Sequence, residues 1–318
     1  MSKLEKAINR IKTELEGLEL EENTALSQYS SFKIGGAGRV LAKPADKAEL
    51  EKLCRLLKEE NICPMPLGRG SNILFPDEGM QDLFIVSTEK MQTLELLPDG
   101  SIYAEAGVSL AKLANFAYQN GLKGLEFASG IPGSLGGGLV MNAGAYGGEL
   151  KDVVEKTEFY CLNRQDMFSL ENVDCCFEYR GSVFKTPGSC IITGAIIRAE
   201  EGDKEEIAEK MRNFNESRRE KQPLNFPSAG SAFKRPEGYF AAALIDQAGL
   251  KGYSVGGAQV SEKHAGFVVN TGDASAKDVR QLMDDVRRIV EEKCGVKLEP
   301  EIIMLPHDYD PGKAMENK

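Results

Sequence analysis

Apolar residues recur along this chain in two rhythms: every third or fourth position, and short unbroken or alternating runs. Their mixture predicts an α+β protein. Leu4, Ile8, Ile11, Leu15 and Leu18 fall at helical spacing among lysines and acids, so the N-terminus reads as an amphipathic helix rather than a signal peptide. VLAKP, from Val40, reads as a strand. Asp46 with Glu49 forms a capping-box pattern ahead of a helix with Leu50, Leu53, Cys54 and Leu57 on one face. Pro64–Leu67 and Leu83–Ser87 read as short strands, and LELLPDGSIYAEAG as a hairpin turning at Asp99-Gly100. Ser109 is placed to cap a helix (Leu110, Leu113, Ala114, Ala117) that stops at Gly121.

Further along, Lys156–Asn163, Met167–Leu170 and Cys190–Arg198 read as strands of a meander. Asp203 and Glu206 open a helix carrying Ile207, Met211 and Phe214, which leads into the polar, basic segment ESRREKQPLNFPSAGS. That segment reads as the last domain boundary. Beyond it come a helix at Tyr239–Ala248 and a strand near Ala265–Asn270. A strongly periodic helix after Ser275 (Val279, Leu282, Met283, Val286, Val290) stops at Gly295, and a final strand spans Lys297–Leu305. HDYDPGKAMENK reads as a disordered tail. The expected parts are an N-terminal helix (1–22), two subdomains (23–90 and 91–215), a third domain (216–306) and the tail (307–318).

Between these regular stretches, Gly124–Gly148 holds nine glycines in twenty-five residues, with no acid between Ser129 and Glu149. Glycine costs conformational entropy on folding, so this density implies close backbone approach. The interleaved Leu125, Phe127, Ile131, Leu135, Leu139, Val140 and Met141 argue against a flexible linker. Bare amides and small hydroxyls suit an anion, most commonly a phosphate. A second glycine loop, Gly68-Arg69-Gly70-Ser71-Asn72, follows a predicted strand, and the two together are placed to cradle a diphosphate. No GxxxxGK[ST] occurs, and no GxGxxG follows a strand and opens a helix, which sets aside the P-loop and Rossmann sites.

Composition narrows the class without naming it. The chain has 318 residues, 42% hydrophobic and 28% charged, with a net charge of −10; this suits a soluble globular protein and argues against nonspecific nucleic-acid binding. Seven cysteines without CxxC indicate neither a disulfide framework nor a zinc site, and no other metal is expected. No apolar run reaches the length of a membrane span. The expectation is a cytoplasmic protein, a monomer or weak homo-oligomer, with both Cys175 and Cys176 as buried thiols.

Six segments occur in an order that resembles a known family: PLGRGSNIL (66–74), ASGIPGSLGGGLVMNAGAYGGEL (128–150), FEYRGSVFK (177–185), PSAGSAFKRP (227–236), GGAQVSEKHAGFVVN (256–270) and LEPEI (298–302). The resemblance is to the UDP-N-acetylenolpyruvoylglucosamine reductases, or UDP-N-acetylmuramate dehydrogenases. It covers about Leu26 to Leu305, and the short span before Tyr179 points to the branch lacking an extra tyrosine loop. It implies a two-part FAD-binding region of the flavin-oxidase (PCMH) type plus a C-terminal α+β substrate domain. FAD would be held non-covalently, NADPH would serve as hydride donor, and the UDP-N-acetylglucosamine enolpyruvyl ether would be the substrate. By the same resemblance, Gly68, Arg69, Gly70, Ser71, Asn72, Ser129, Gly130, Ile131, Pro132, Gly133, Ser134, Gly136, Gly137, Asn142, Ala143 and Gly144 would bind the cofactor.

The chemistry implied needs a cation at the substrate carboxylate and a proton donor at the developing carbanion. Arg180 matches the family's arginine for the first role, Ser231 its proton donor, and Glu301 its third catalytic residue. Tyr179, Arg218, Lys221, Arg235, Lys263 and His264 are the expected substrate contacts. Two departures stand out: Arg235 replaces a common asparagine, and Ile303-Met304-Leu305-Pro306 follow Glu301 where a basic residue and then a glycine are usual. The alternatives are an FAD oxidase of a sugar or alcohol, disfavoured in its covalent form because no histidine lies in the glycine loops, and a flavin-free UDP-sugar-binding module.

Overall fold

The computed structural model describes residues 2–316. Helix α1 (Lys3–Glu14) starts with a full capping box between Ser2 and Glu5 and buries Leu4, Ala7, Ile8 and Ile11. Its apolar face packs with α2 (Lys47–Glu59) on one side of a mixed sheet. That sheet has the order β1 (Glu19–Ala25), β2 (Ala37–Lys43), β5 (Met80–Ser87), β3 (Met65–Leu67). β1 runs antiparallel to β2, and the other pairs are parallel. Alternate residues of β5 feed different cores, Phe84 and Val86 facing the helices and Leu83 and Ile85 the opposite side. Burial on both faces explains why the strand reads as a continuous apolar run. β4 (Ile73–Leu74) leaves this sheet to pair elsewhere.

The second part is an antiparallel sheet of β12 (Asp166–Glu171), β11 (Val154–Cys161), β13 (Cys190–Ile197), β7 (Ile102–Glu105) and β6 (Leu94–Leu96), in that order. Its core takes in α3 (Leu110–Gln119) and the glycine-rich α4 (Leu135–Val140). Two small pairs complete it: β8 (Leu122–Lys123) with β14 (Glu200–Glu201), and β9 (Gly144–Ala145) with β10 (Gly148–Glu149). Helix α5 (Lys204–Lys221), capped by Asp203, then leads to the third part, running without a break through the position expected as a boundary at 216.

The third part orders β15 (Ser228–Ser231), β18 (Phe267–Asn270), β17 (Ala258–Val260) and β16 (Ser254–Val255) antiparallel, with α6 (Ala241–Gln247) and α7 (Ala276–Cys294) in one core. Phe32, Ile34 and Leu74 from the first part enter that core. Ser31 Oγ donates to the Ser228 carbonyl (2.7 Å), and Asn270 Nδ2 to the Phe32 carbonyl (3.1 Å). Asp77 accepts the main-chain N–H of Ala276 (2.7 Å) and Lys277 (3.1 Å) at the start of α7.

Several expectations change. The first helix ends at Glu14, and the polar segment after it pairs as β1. Glu49 takes the N–H of Ala45 rather than that of Asp46, so α2 is capped by Asp46 without the reciprocal bond. The strand expected over Lys297–Leu305 narrows to β19 (Ile303–Met304), parallel to β4. The segment before it is held by single contacts, an isolated Phe233–Pro300 bridge and Lys234 N–H on the Glu299 carbonyl. The tail is not disordered where described: Pro311–Glu316 forms α8, and Tyr309 packs on the first sheet's core. Residues 317–318 lie outside the described residues. Cys175 is buried, but Cys176 is exposed, in the left-handed conformation at the end of a short 3-10 turn. Among the described residues no helix is long and apolar enough to cross a membrane.

Candidate active site

A cleft of about 1230 Å³ opens where the three parts meet, and both glycine loops line it. The first leaves the end of β3. Gly70 has φ +58°, and a Cβ there would lie 1.9 Å from the Tyr29 carbonyl oxygen, so only glycine fits. Among the described residues the main-chain N–H groups of Arg69, Gly70, Ser71 and Asn72 find no acceptor in the protein. The second loop is pinned by the N–H of Leu135 and Gly136 on the carbonyls of Val108 and Ala106, and by Leu110 N–H on the Gly133 carbonyl. All four of Gly136, Gly137, Gly138 and Gly144 line the cleft, but a Cβ on Gly136, Gly138 or Gly144 would press on Ala106, Leu150 or Gly148, whereas Gly137 has room for one. Part of the glycine density therefore serves the protein's own packing.

Ser134 is the point where the loops meet. It stands before α4 without capping it, and its Oγ is buried with no partner, close to Gly68. A buried hydroxyl is rarely left unpaired, so this atom points to a ligand acceptor. Ile131, Pro132, Gly130, Ala143 and Gly144 also line the cleft. Ser129 and Asn142 do not. Ser129 Oγ accepts from Asn215 Nδ2 (3.3 Å), while Asn142, fully buried, is spent on Glu149, the Glu178 carbonyl and the Lys151 N–H. Asn142 thus ties the glycine cluster to the turn that carries Arg180.

That turn is closed by reciprocal main-chain bonds between Glu178 and Gly181, leaving Tyr179-Arg180 at its tip with Arg180 at φ +58°. Arg180 Nε donates to Glu301 Oε1 at 2.6 Å. Glu301 reaches this point because its N–H bonds the Ala232 carbonyl and its carbonyl accepts from Asn72 Nδ2 (3.1 Å). Ser231 ends β15 at an irregular register, after Gly230 at φ +77°. So the three expected catalytic residues come from three separate segments to line one cleft, alongside both glycine loops. Burial pushes the Glu301 carboxyl above the usual carboxylate range, although Arg180 pulls the other way.

Of the expected substrate contacts, Arg218, Lys221 and His264 line the cleft; Tyr179, Arg235 and Lys263 do not. Arg218 is the most telling: its Nε and Nη1 are buried without a hydrogen-bond partner, and burial depresses the guanidinium's pKa. His264 Nδ1 accepts the Gly266 N–H (3.1 Å), which places the ring proton on Nε2, and burial lowers its pKa. Tyr179 accepts the Arg235 N–H (3.2 Å), and the Arg235 guanidinium stacks 4.0 Å from the Phe240 ring centre. Lys263 Nζ donates to the Arg219 carbonyl (2.6 Å). Sequence reasoning missed Met65, Tyr146, Glu178, Asn215, Leu224 and Tyr309 as cleft residues. Tyr146 and Glu178 had a signal, since each lies within one of the six ordered segments.

The cleft fits a dinucleotide flavin: it exceeds the usual volume of a small-ligand pocket, and it offers unpaired amides, one orphan hydroxyl and a cation. An FAD binding domain model matches residues 38–163, and a model described as UDP-N-acetylenolpyruvoylglucosamine reductase, C-terminal domain, matches 222–305. The chain is 47% identical over 297 residues to the UDP-N-acetylenolpyruvoylglucosamine reductase of Caldanaerobacter subterraneus subsp. tengcongensis, covering 93% of this chain and 96% of the relative. It is 43% identical to that of Lachnoclostridium phytofermentans, covering 91% and 94%. The crystal structure of UDP-N-acetylenolpyruvylglucosamine reductase from Thermus caldophilus superposes with a TM-score of 0.78 at 34% identity, over 91% of this chain and 100% of the other. With its cleft geometry and both halves matched, this chain belongs to the UDP-N-acetylenolpyruvoylglucosamine reductase family.

Proposed function

We propose that this protein reduces the enolpyruvyl ether of UDP-N-acetylglucosamine enolpyruvate to UDP-N-acetylmuramate, with FAD bound non-covalently and NADPH as donor, in peptidoglycan precursor synthesis. The observation that carries the reading is the Arg180–Glu301 pair, which shares one cleft with Ser231 and both glycine loops. The free amides of residues 69–72 and Ser134 Oγ would hold the flavin's diphosphate. When bound, the flavin supplies hydride storage and delivery.

The chain's own groups supply placement and proton handling. Glu301 occupies the Nε of Arg180, leaving the terminal guanidinium nitrogens for the substrate carboxylate, where charge builds as the methylene carbon is reduced. Ser231 Oγ, unpartnered within the protein among the described residues, delivers the proton to the adjacent carbon. A serine is a weak acid, and the strongly basic enolate provides the driving force. Glu301, whose carboxyl burial pushes above the usual carboxylate range, assists that delivery. Arg218, with its buried unpaired guanidinium nitrogens, meets the substrate's diphosphate.

An anaerobic titration tests the whole reading. NADPH should bleach the flavin of the purified protein, and the UDP-enolpyruvyl sugar should then restore its colour stoichiometrically. A colourless protein overturns it in favour of a binding module, and recovery only on admitting oxygen favours an oxidase.

A further inference from the structure

One end of the cleft is apolar and is closed by residues beyond the matched C-terminal domain. Glu301, Ile303 and Leu305 line the cleft at every second position, and Tyr309 and Pro311 continue the wall. At about 3.3 Å per residue in an extended chain, Leu305 stands ~13 Å from Glu301. Met65, Leu67, Cys190 and Ile192 line the cleft as well. The tail bridges two parts of the molecule here. Tyr309 packs in the core that holds Met65 and Leu67, and the Pro311 carbonyl sits against Gly188, beside Cys63. A Cβ on Gly188 would lie 2.8 Å from that carbonyl oxygen and 2.9 Å from Cys63 Sγ, so the seat is made for glycine.

We propose that Tyr309 and Pro311 wall a subsite for the ring of the bound dinucleotide that lies away from the reaction, its adenine. This rests on the FAD reading above. The reacting ring must lie near Arg180, Ser231 and Glu301, and the diphosphate on the free amides. The remaining flat, largely apolar group then falls at the apolar end, against Tyr309.

The test compares two flavins on apoprotein prepared from the full chain and from two variants, a truncation ending at Leu305 and Tyr309→Ala. FMN carries the reacting ring but no adenine. Affinities are read from quenching of flavin fluorescence on binding, and a melting curve establishes folding of each variant. The expected result is a loss of FAD affinity of about tenfold or more in both variants, with FMN affinity unchanged. FAD affinity unaltered in the folded Tyr309→Ala protein, or equal losses for both flavins, overturns the subsite. A full chain that binds neither flavin overturns the cofactor reading and the subsite together, which separates that outcome from failure of the subsite alone.

Discussion

Arg180 holds a left-handed backbone conformation at the tip of a two-residue turn and still directs its guanidinium to Glu301. Such a conformation in a non-glycine residue is costly and persists only where its surroundings hold it, here the reciprocal Glu178–Gly181 main-chain bonds. Arg180→Lys should lower turnover at least tenfold, because a point charge cannot reproduce the fork shared between Glu301 and a carboxylate; near-normal steady-state rates would contradict the role. Ser231→Ala should leave reduction of the flavin by NADPH nearly intact and slow only its reoxidation by the enolpyruvyl sugar. Stopped-flow absorbance resolves the two half-reactions, and equal slowing of both would count against the serine as proton donor. Glu301 makes a pH prediction. Its folded-state pKa lies above the unfolded value, so its contribution is full below the ordinary carboxylate range and is lost as pH rises through the folded pKa. Glu301→Gln should remove that decline from the pH dependence of thermal stability; an unchanged profile would show that the carboxyl is not the titrating group.

At the scale of elements, the site is assembled by contacts between parts, namely the short β4–β19 pair, first-part side chains in the third part's core and individual hydrogen bonds, rather than by one sheet. The clearest is Asp77, whose carboxylate caps α7 from outside its own domain. Ser275 caps the same helix locally, so the helix itself survives without Asp77. Losing a cap costs about 1 kcal/mol. Asp77→Ala should therefore lower the melting temperature slightly and raise KM for the UDP-sugar more than it alters kcat, since the domain bearing Ser231 loses one anchor. Thermal melts and steady-state kinetics check this, and an unchanged KM would place the control of domain position in the Ser31–Ser228 and Phe32–Asn270 contacts instead.

For the whole molecule, three cores converge on one cleft, so a ligand there couples parts that each fold around their own apolar cluster. A ligand that binds only the folded state stabilises it by about 2.7 kcal/mol at a hundredfold excess over Kd. Stripping the flavin should lower the melting temperature by several degrees, and restoring it should reverse the change. Identical melting curves for flavin-free and flavin-loaded protein would argue against a cofactor seated between the domains.

The amino-acid pattern by itself determined the strongly periodic elements. α2, α3 and α7 begin and end at the cap residues that local chemistry requires, and the hairpin at Asp99-Gly100 turns where its turn signal lies. The ordered motifs, through the family they resemble, singled out Arg180, Ser231 and Glu301 as candidates, and all three line one cleft. Only the tertiary structure decided what lies between distant segments. It showed that Asn142 is consumed as a strut, that Ser134 Oγ and the Nε and Nη1 of Arg218 are buried without hydrogen-bond partners, and that the last segments hold only a short strand, with Tyr309 and Pro311 lining the cleft. Burial and hydrogen-bond satisfaction belong to pairs of residues far apart in sequence, and local periodicity carries no record of which pairs will meet.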